Sequence, residues 1–258
     1  MDRQNITVVK VGGAVVEDEK RLSTLLDEFC KLEGHKVLVH GGGRSATTIA
    51  ASLGIESKMV NGRRITDAAM LRVVTMVYGG LVNKNIVAKL QTRGENALGL
   101  TGADMDIIRS HKRPVKDVDY GFVGDVEKVD GQKLFSLIES GVTPVMAPLT
   151  HDGKGTILNT NADTIASETA KALAEYANVT LVYAFEKNGV LANPDDENSV
   201  IHKVDSQSYE EMKASGVVAG GMIPKLDNAF AAISAGVVNV AITKETDLRA
   251  ENGTIIYK

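Results

Sequence analysis

The sequence has 258 residues, with 29 Lys and Arg against 33 Asp and Glu and a formal charge of −4. A mildly acidic chain offers no broad electrostatic footprint for nucleic acid, no apolar run approaches the ~20 residues of a membrane helix, and residues 1–11 lack a secretory pattern. A single cysteine, Cys30, excludes an intrachain disulfide, so the expectation is a cytoplasmic protein that folds without a staple.

Residues 6–11 are mostly β-branched and predict a buried strand ending at Gly12-Gly13. Leu22, Leu25, Leu26, Phe29 and Leu32 recur at helical spacing, and Gly34 closes that helix. Val37-Leu38-Val39 predicts a second strand, stopped by Gly41-Gly42-Gly43, and a short helix runs on to Gly54. Strand, glycine turn and helix, twice over, predict a parallel sheet with covering helices. Asn61-Gly62 joins residues 56–60 to 63–65 as a hairpin. Thr66 is placed to cap a helix through Met70 and Val77, and a further helix covers residues 81–90. Residues 97–130 are punctuated by glycine and predict short strands and hairpins. A helix ending at Gly141, a strand at 142–147, a long helix at 162–176 and a strand at 179–184 follow. Residues 193–198 are polar and turn-rich and read as a surface loop. Ser206 is placed to cap a helix to Gly216, Pro224 opens another to Gly236, and residues 237–242 predict a late strand. No repeat, low-complexity segment or linker divides the chain.

The two glycine-rich turns each follow a strand and open toward a helix. Backbone N–H groups at such turns bind anions, and two after neighbouring strands suit a polyanionic ligand across the C-terminal edge of the sheet. The same glycines also serve as tight turns that need positive φ. Gly41 to Ala46 matches the G-x-G-x-x-[G/A] dinucleotide fingerprint, but the acidic residue that fingerprint requires ~20 residues on is replaced by Asn61-Gly62. A nicotinamide dehydrogenase is therefore disfavoured, and with no G-x-x-x-x-G-K-[ST] loop so is a Walker-type ATPase.

Lys10 lies on an apolar strand, where its charge needs a partner unless the strand is an exposed edge. Lys225 lies in the first turn of a helix, where a cation opposes the dipole and sits better beside phosphate. Asp163 follows Asn159-Thr160-Asn161 at another helix start. Two lysines, an aspartate and two glycine turns are the parts of phosphoryl transfer, which asks a protein for position and charge. Cys30 reads as packing and His40 as a local hydrogen-bonding group. The five histidines show no metal-ligand spacing, so no protein-held metal is expected.

Val9-Lys10-Val11-Gly12-Gly13, His40-Gly41-Gly42-Gly43 and Asn61-Gly62-Arg63-Arg64-Ile65-Thr66 are followed by Val82-Asn83-Lys84 and Gly121-Phe122-Val123-Gly124-Asp125-Val126. Leu158-Asn159-Thr160-Asn161-Ala162-Asp163 and Gly220-Gly221-Met222-Ile223-Pro224-Lys225 complete the series. In this order, over nearly the whole chain, they resemble the amino acid kinase family, and within it the N-acetylglutamate kinase branch. The Lys-x-Gly-Gly and His-Gly-Gly-Gly pieces belong to the wider family. The Asn-Gly-x-Arg-[Val/Ile]-Thr and Asn-x-Asn-Ala-Asp pieces are more specific to the branch.

The resemblance implies one α/β domain over residues 1–258, a three-layer α/β/α sandwich around a mostly parallel sheet. Its approximate lobes are 1–175 for the N-acyl amino acid and 176–258 for the nucleotide. It implies ATP with Mg²⁺ held mainly by phosphates, and phosphorylation of the γ-carboxylate of an N-acyl-L-glutamate in arginine biosynthesis. Lys10, Lys225 and Asp163 become the catalytic set, with the lysines flanking the transferring phosphoryl group and Asp163 orienting both. Gly42, Gly43, Arg64 and Asn159 become substrate contacts. Gly12 and Gly13 cradle phosphate, and Phe185, Glu186, Lys187, Asn188, Gly189, Val190, Leu191, Val217, Val218 and Ala219 form the nucleotide wall. The segment from Tyr183 to Leu191 departs from the family's usual Thr/Ser-Asp-Val-x-Gly-Val. Other activities of the family, on carbamate, aspartate, glutamate or a nucleoside monophosphate, and a non-catalytic regulatory module are the alternatives.

Arg44 and Arg63 stand where the branch usually has Pro or a small residue, and Leu. Both adjoin expected substrate contacts, so an acyl group with its own carboxylate, as in N-succinyl-L-glutamate, competes with N-acetyl. Only residues 1–5 precede the first strand, where arginine-inhibited hexamers of the family carry an extra helix, so an arginine-insensitive homodimer is expected.

Overall fold

The computed structural model describes residues 3–60, 62–193, 195–218 and 222–258. Asn61 of the expected hairpin turn, Ala219 of the expected nucleotide wall, and Gly220 and Gly221 lie outside the described residues.

The chain begins with β1 (Asn5–Val11), α1 (Gly13–Glu17), α2 (Glu19–Cys30), β2 (His35–His40) and α3 (Gly43–Ser52), the doubled strand–turn–helix unit that the glycines demand. β3 (Met59–Val60) and β4 (Arg63–Arg64) pair antiparallel as the expected hairpin. The next two helices are one continuous run: α4 (Ala68–Val74), a π-helical segment Thr75–Val82, and α5 (Asn83–Gln91). The Gly79-Gly80 pair, a natural place for a break, is absorbed by widening the helix. Its N-cap is Asp67, not Thr66. The Asp67 carboxylate accepts from the Met70 N–H at 2.8 Å, while Thr66 is buried and turned toward Asn159.

Short strands follow as expected, β5 (Ala97–Leu100), β6 (Ile108–Lys112) and β7 (Gly124–Val129), with a 3₁₀ turn at Asp104–Asp106. Then come α6 (Gly131–Glu139), β8 (Thr143–Met146), β9 (Leu149–His151), β10 (Ile157–Asn159), α7 (Ala162–Ala174) and β11 (Asn178–Phe185). β12 (Lys203–Val204), α8 (Ser206–Ala214), α9 (Met222–Ser234), β13 (Asn239–Lys244) and β14 (Thr254–Ile256) complete the chain. α8 is capped by Asp205 in a reciprocal box with Ser208, not by Ser206.

The main sheet runs β12-β14-β13-β11-β1-β2-β8-β5, with every described pairing parallel except β13 with β14. Its central strands are buried on both faces, which is why they read as apolar runs rather than alternating ones. Alternate residues feed two separate cores. Val8, Val37, Val39, Leu181 and Tyr183 pack with Ile165, Leu173 and Leu226 of α7 and α9. Val9, Leu38, Val182 and Ala184 pack with Leu25, Phe29, Val77 and Ile86 on the opposite side. The three layers follow from this alternation.

A second sheet, β10-β9-β6-β7, stands at one end of the strands. It closes on the first hairpin through a bridge between Thr66 and Gly121, and the Phe122 N–H donates to the Thr66 carbonyl at 2.7 Å. Gly121 has φ +71°, and a Cβ there would lie 2.2 Å from that carbonyl oxygen, so only glycine permits the approach. Among the described residues no helix is long and apolar enough to cross a membrane.

Candidate active site

Lys10 lies one residue from the end of β1, in register with Tyr183 on β11. It shares the face of Val8, two residues earlier, and so emerges among α7 and α9. The expected partner for its charge is there: Lys10 Nζ is 2.7 Å from Asp163 Oδ1. Lys225 Nζ, from α9, is 3.3 Å from the other oxygen, Oδ2. One carboxylate thus bridges two ammonium groups. Asp163 is fixed in turn by Asn161, the N-cap of α7, whose side chain accepts from the Asp163 and Thr164 N–H groups at 2.7 and 3.2 Å. Burial alone would raise the Asp163 pKa, but the charges of Lys10 and Lys225 outweigh it and hold the carboxyl below the ordinary range. Two cations and one anion leave net positive charge at this point.

On one side of this bridge lies a pocket of about 240 Å³. Gly42, Gly43, Arg64 and Asn159 all line it, with Gly13. Arg64 is buried and held by three bonds to oxygen: Nη2 donates to the Gly43 carbonyl at 2.7 Å and to Thr47 Oγ1 at 2.9 Å, and Nη1 to Ser57 Oγ at 2.8 Å. Asn159 is buried and donates from Nδ2 to Thr66 Oγ1 at 2.9 Å. Its Oδ1 accepts no hydrogen bond among the described residues. Among the wall residues that sequence reasoning missed are Tyr78 and Arg113. Tyr78 comes from the π-helical segment and presses on the glycine turn, where a Cβ on Gly42 would lie 3.0 Å from its ring.

Arg44 does not join the pocket. Its side chain is 74% exposed and leans toward Glu17 at 3.8 Å. The Glu17 carboxylate accepts from the Ser45 N–H at 2.7 Å, so it draws Arg44 to the outer side of α3. Arg63 does line the pocket, beside Arg113, which is paired with Asp125 and stacked over the Tyr120 ring.

The second recess, of about 320 Å³, is largely apolar. Lys187, Gly189, Val190, Leu191, Val217 and Val218 line it. Of the rest of the expected nucleotide wall, Phe185 packs against Gly12 at the end of β11, Asn188 lines a different, polar recess, and Glu186 lines neither. β11 pairs with β1 residue for residue up to Ala184, so the atypical segment leaves the strand without a bulge. Gly12 itself donates to the Ala184 carbonyl at 2.9 Å.

His40 sets the shape of the second glycine turn. It is fully buried, with Nδ1 2.7 Å from the Gly41 carbonyl and Nε2 3.0 Å from Asn83 Nδ2. These partners require a neutral ring that donates from Nδ1 and accepts at Nε2. Burial, partly offset by the Gly41 bond and reinforced by Lys84, lowers its pKa to about 4. Among the described residues no cluster of three or more His, Cys, Asp or Glu could hold a metal ion.

The sequence matches the profile of the Amino acid kinase family over residues 5–244. It is 66% identical to the acetylglutamate kinase of Bacteroides thetaiotaomicron over 256 residues, 99% of this chain and 100% of that protein. Among solved structures it is similar to smu.665 from Streptococcus mutans, with a TM-score of 0.78 and 28% identity over 98% of both chains. It shares its fold with N-acetylglutamate synthase from Neisseria gonorrhoeae, with a TM-score of 0.82 at 22% identity over 100% of this chain and 60% of that one.

The His40 geometry predicts an acid-sensitive fold. Because the folded pKa lies below the ordinary 6.5, this group's contribution is complete above pH 6.5 and is lost as pH falls toward about 4. Urea midpoints converted to free energy should show about 2 kcal/mol lost between pH 7.5 and 5. His40→Gln should be less stable at neutral pH but should flatten that slope; an unchanged slope assigns the acid sensitivity elsewhere.

Proposed function

The chain belongs to the amino acid kinase family, in its acetylglutamate kinase branch, and from that membership we infer the reaction: transfer of the γ-phosphoryl group of ATP to the γ-carboxylate of N-acetyl-L-glutamate. The observation that carries it is the Lys10–Asp163–Lys225 bridge between an Arg- and Asn-lined pocket and an apolar recess. A regulatory module that had lost catalysis would have no reason to keep this bridge assembled.

The pocket favours an N-acyl substrate over a free amino acid. An ammonium group needs a carboxylate partner, and among the described lining residues there is no Asp or Glu. Arg64 suits a substrate carboxylate, and Asn159 Oδ1 is open to an amide N–H. The apolar recess suits adenine, with the phosphates reaching over Gly12 and Gly13 to the lysines.

A substrate carboxylate is already ionised at neutral pH and needs no general base. Its oxygen attacks the γ-phosphorus in line, the bond to the bridging oxygen breaks, and ADP leaves with that electron pair. Charge then spreads over the equatorial oxygens, where Lys10 and Lys225 stabilise it from either side. Mg²⁺, when bound, would neutralise phosphate charge; Asp163 is committed to the lysines, so phosphate oxygens would be its main ligands. The division into an acyl-amino-acid lobe near 1–175 and a nucleotide lobe near 176–258 is part of this reading, as is a cytoplasmic setting where ATP is supplied.

Arg63 and Arg113 on the pocket wall favour a second reading of the acyl group. An N-succinyl substituent carries a further carboxylate that these guanidinium groups would meet; Arg63 is exposed and Arg113 already pairs with Asp125, so such a pair is worth about 0.2–1 kcal/mol, roughly 1.5- to 5-fold in preference. A homodimer is also proposed. Among the described residues, strand β5 ends the main sheet with one edge unpaired and shows Leu98, and the helical run shows Met76 and Leu81, 55% and 50% exposed.

Three measurements test these statements. ADP release with hydroxylamine-trappable acyl phosphate should occur with N-acyl-L-glutamate and not with glutamate, aspartate, carbamate or a nucleoside monophosphate; Lys10→Ala or Lys225→Ala should each lower kcat by on the order of 10²–10³ with little change in KM for the acyl substrate. The ratio of kcat/KM for N-succinyl over N-acetyl glutamate should fall in Arg63→Leu and Arg113→Ala if the second reading holds; a wild type that prefers the acetyl compound, with a ratio both variants leave unchanged, removes it. Light scattering should give the mass of two chains, and Met76→Lys with Leu81→Lys should give one.

A further inference from the structure

Lys225 is the less well held of the two lysines. Its contact with Asp163 is longer than that of Lys10, 3.3 against 2.7 Å, and it shares that carboxylate. It also sits in the first turn of α9, where the helix dipole repels a cation. Something else must favour its position over solvent. The Lys225 ammonium lies 5.8 Å from the centroid of the Tyr183 ring, within the range of attraction between a cation and an aromatic face.

Tyr183 is suited to this. It is 2% exposed, and its place opposite Lys10 puts both side chains on the face shared by α7 and α9. Its hydroxyl is buried near the Ser167 side chain but makes no hydrogen bond of ordinary distance and angle among the described residues, so the hydroxyl holds the ring only weakly. Burial, reinforced by the charge of Asp163, raises the phenol pKa and keeps the ring neutral.

We propose that Tyr183 is a positioning residue for phosphoryl transfer, whose ring face holds the Lys225 ammonium over the reacting group. This rests on the kinase reading above. What matters is the ring's quadrupole, not its oxygen, which separates this role from packing or hydrogen bonding.

The experiment replaces Tyr183 with Phe and with mono-, di- and trifluorinated phenylalanine, which keep the shape while weakening the face. Tyr183→Leu removes the ring. Turnover of ATP and N-acetyl-L-glutamate should fall stepwise with fluorination and about three- to tenfold in Tyr183→Leu, with both KM values within about twofold, and Tyr183→Phe should restore what Tyr183→Leu loses. In a Lys225→Ala background the fluorinated series should be flat. Equal turnover across the series in an active enzyme, or a Phe variant as impaired as the Leu variant, overturns the inference and leaves the kinase reading standing. A wild type that makes no acyl phosphate fails the kinase reading instead. The fluorinated residues are nearly isosteric, so the result survives if the Leu variant does not fold.

Discussion

One carboxylate held between two ammonium groups is the constraint on which the rest of the site depends. Asp163 is largely withdrawn from water, and a lone charge there would be costly; so would either lysine without it. Together they leave net positive charge at the C-terminal edge of a sheet whose glycine turns already bring N–H groups to the same place. The three partners come from β1, α7 and α9. Only a sheet that sets β1 beside β11 and lays α7 and α9 over that face brings them together. The parallel architecture positions the charge, and the charge is what the chemistry uses.

The two recesses differ in chemical character. The pocket lined by Arg64 and Asn159 is polar at its working points, and those groups are immobilised by Thr47, Ser57 and Thr66 before any ligand arrives. The other recess is walled by Gly189, Val190, Leu191 and Val218, offering area rather than specific bonds. A rigid polar site selects its ligand because an unpaired buried group is costly. An apolar slot gains from any flat ring it covers.

Much of this was legible in the chain. A lysine in an apolar strand, two glycine turns after strands, and an aspartate behind Asn159 and Asn161 all met at one edge, and the hairpin at residues 59–64 formed where Asn-Gly required. Other features were not legible, for physical reasons. Ser, Thr and Asp all accept a cap hydrogen bond, so Thr66 and Ser206 stood in for the true caps, Asp67 and Asp205. Tyr78 reaches the pocket from a π-helical segment, which breaks the 3.6-residue period that would have shown its face. Arg113 lies on a strand-flanked loop far from Arg64 in sequence, and only the second sheet brings them near. Arg44 adjoined the right glycine, but a neighbouring carboxylate, Glu17, turned it outward.

Asn159, Asn161 and Asp163 lie within a single strand–turn–helix step, from the end of β10 to the start of α7. The pocket-lining Asn159 and the carboxylate that organises the charge are therefore borne on one continuous step of chain. Lys10 stands on the central sheet beside it, while Lys225 alone rides on α9, whose first residue, Met222, lines the apolar recess. A movement of α9 away from the sheet would leave Asp163 and Lys10 paired and would break the contacts of Lys225 with both Asp163 and Tyr183. The longer arm of the bridge, 3.3 Å against 2.7 Å, is therefore the one that the placement of α9 alone decides.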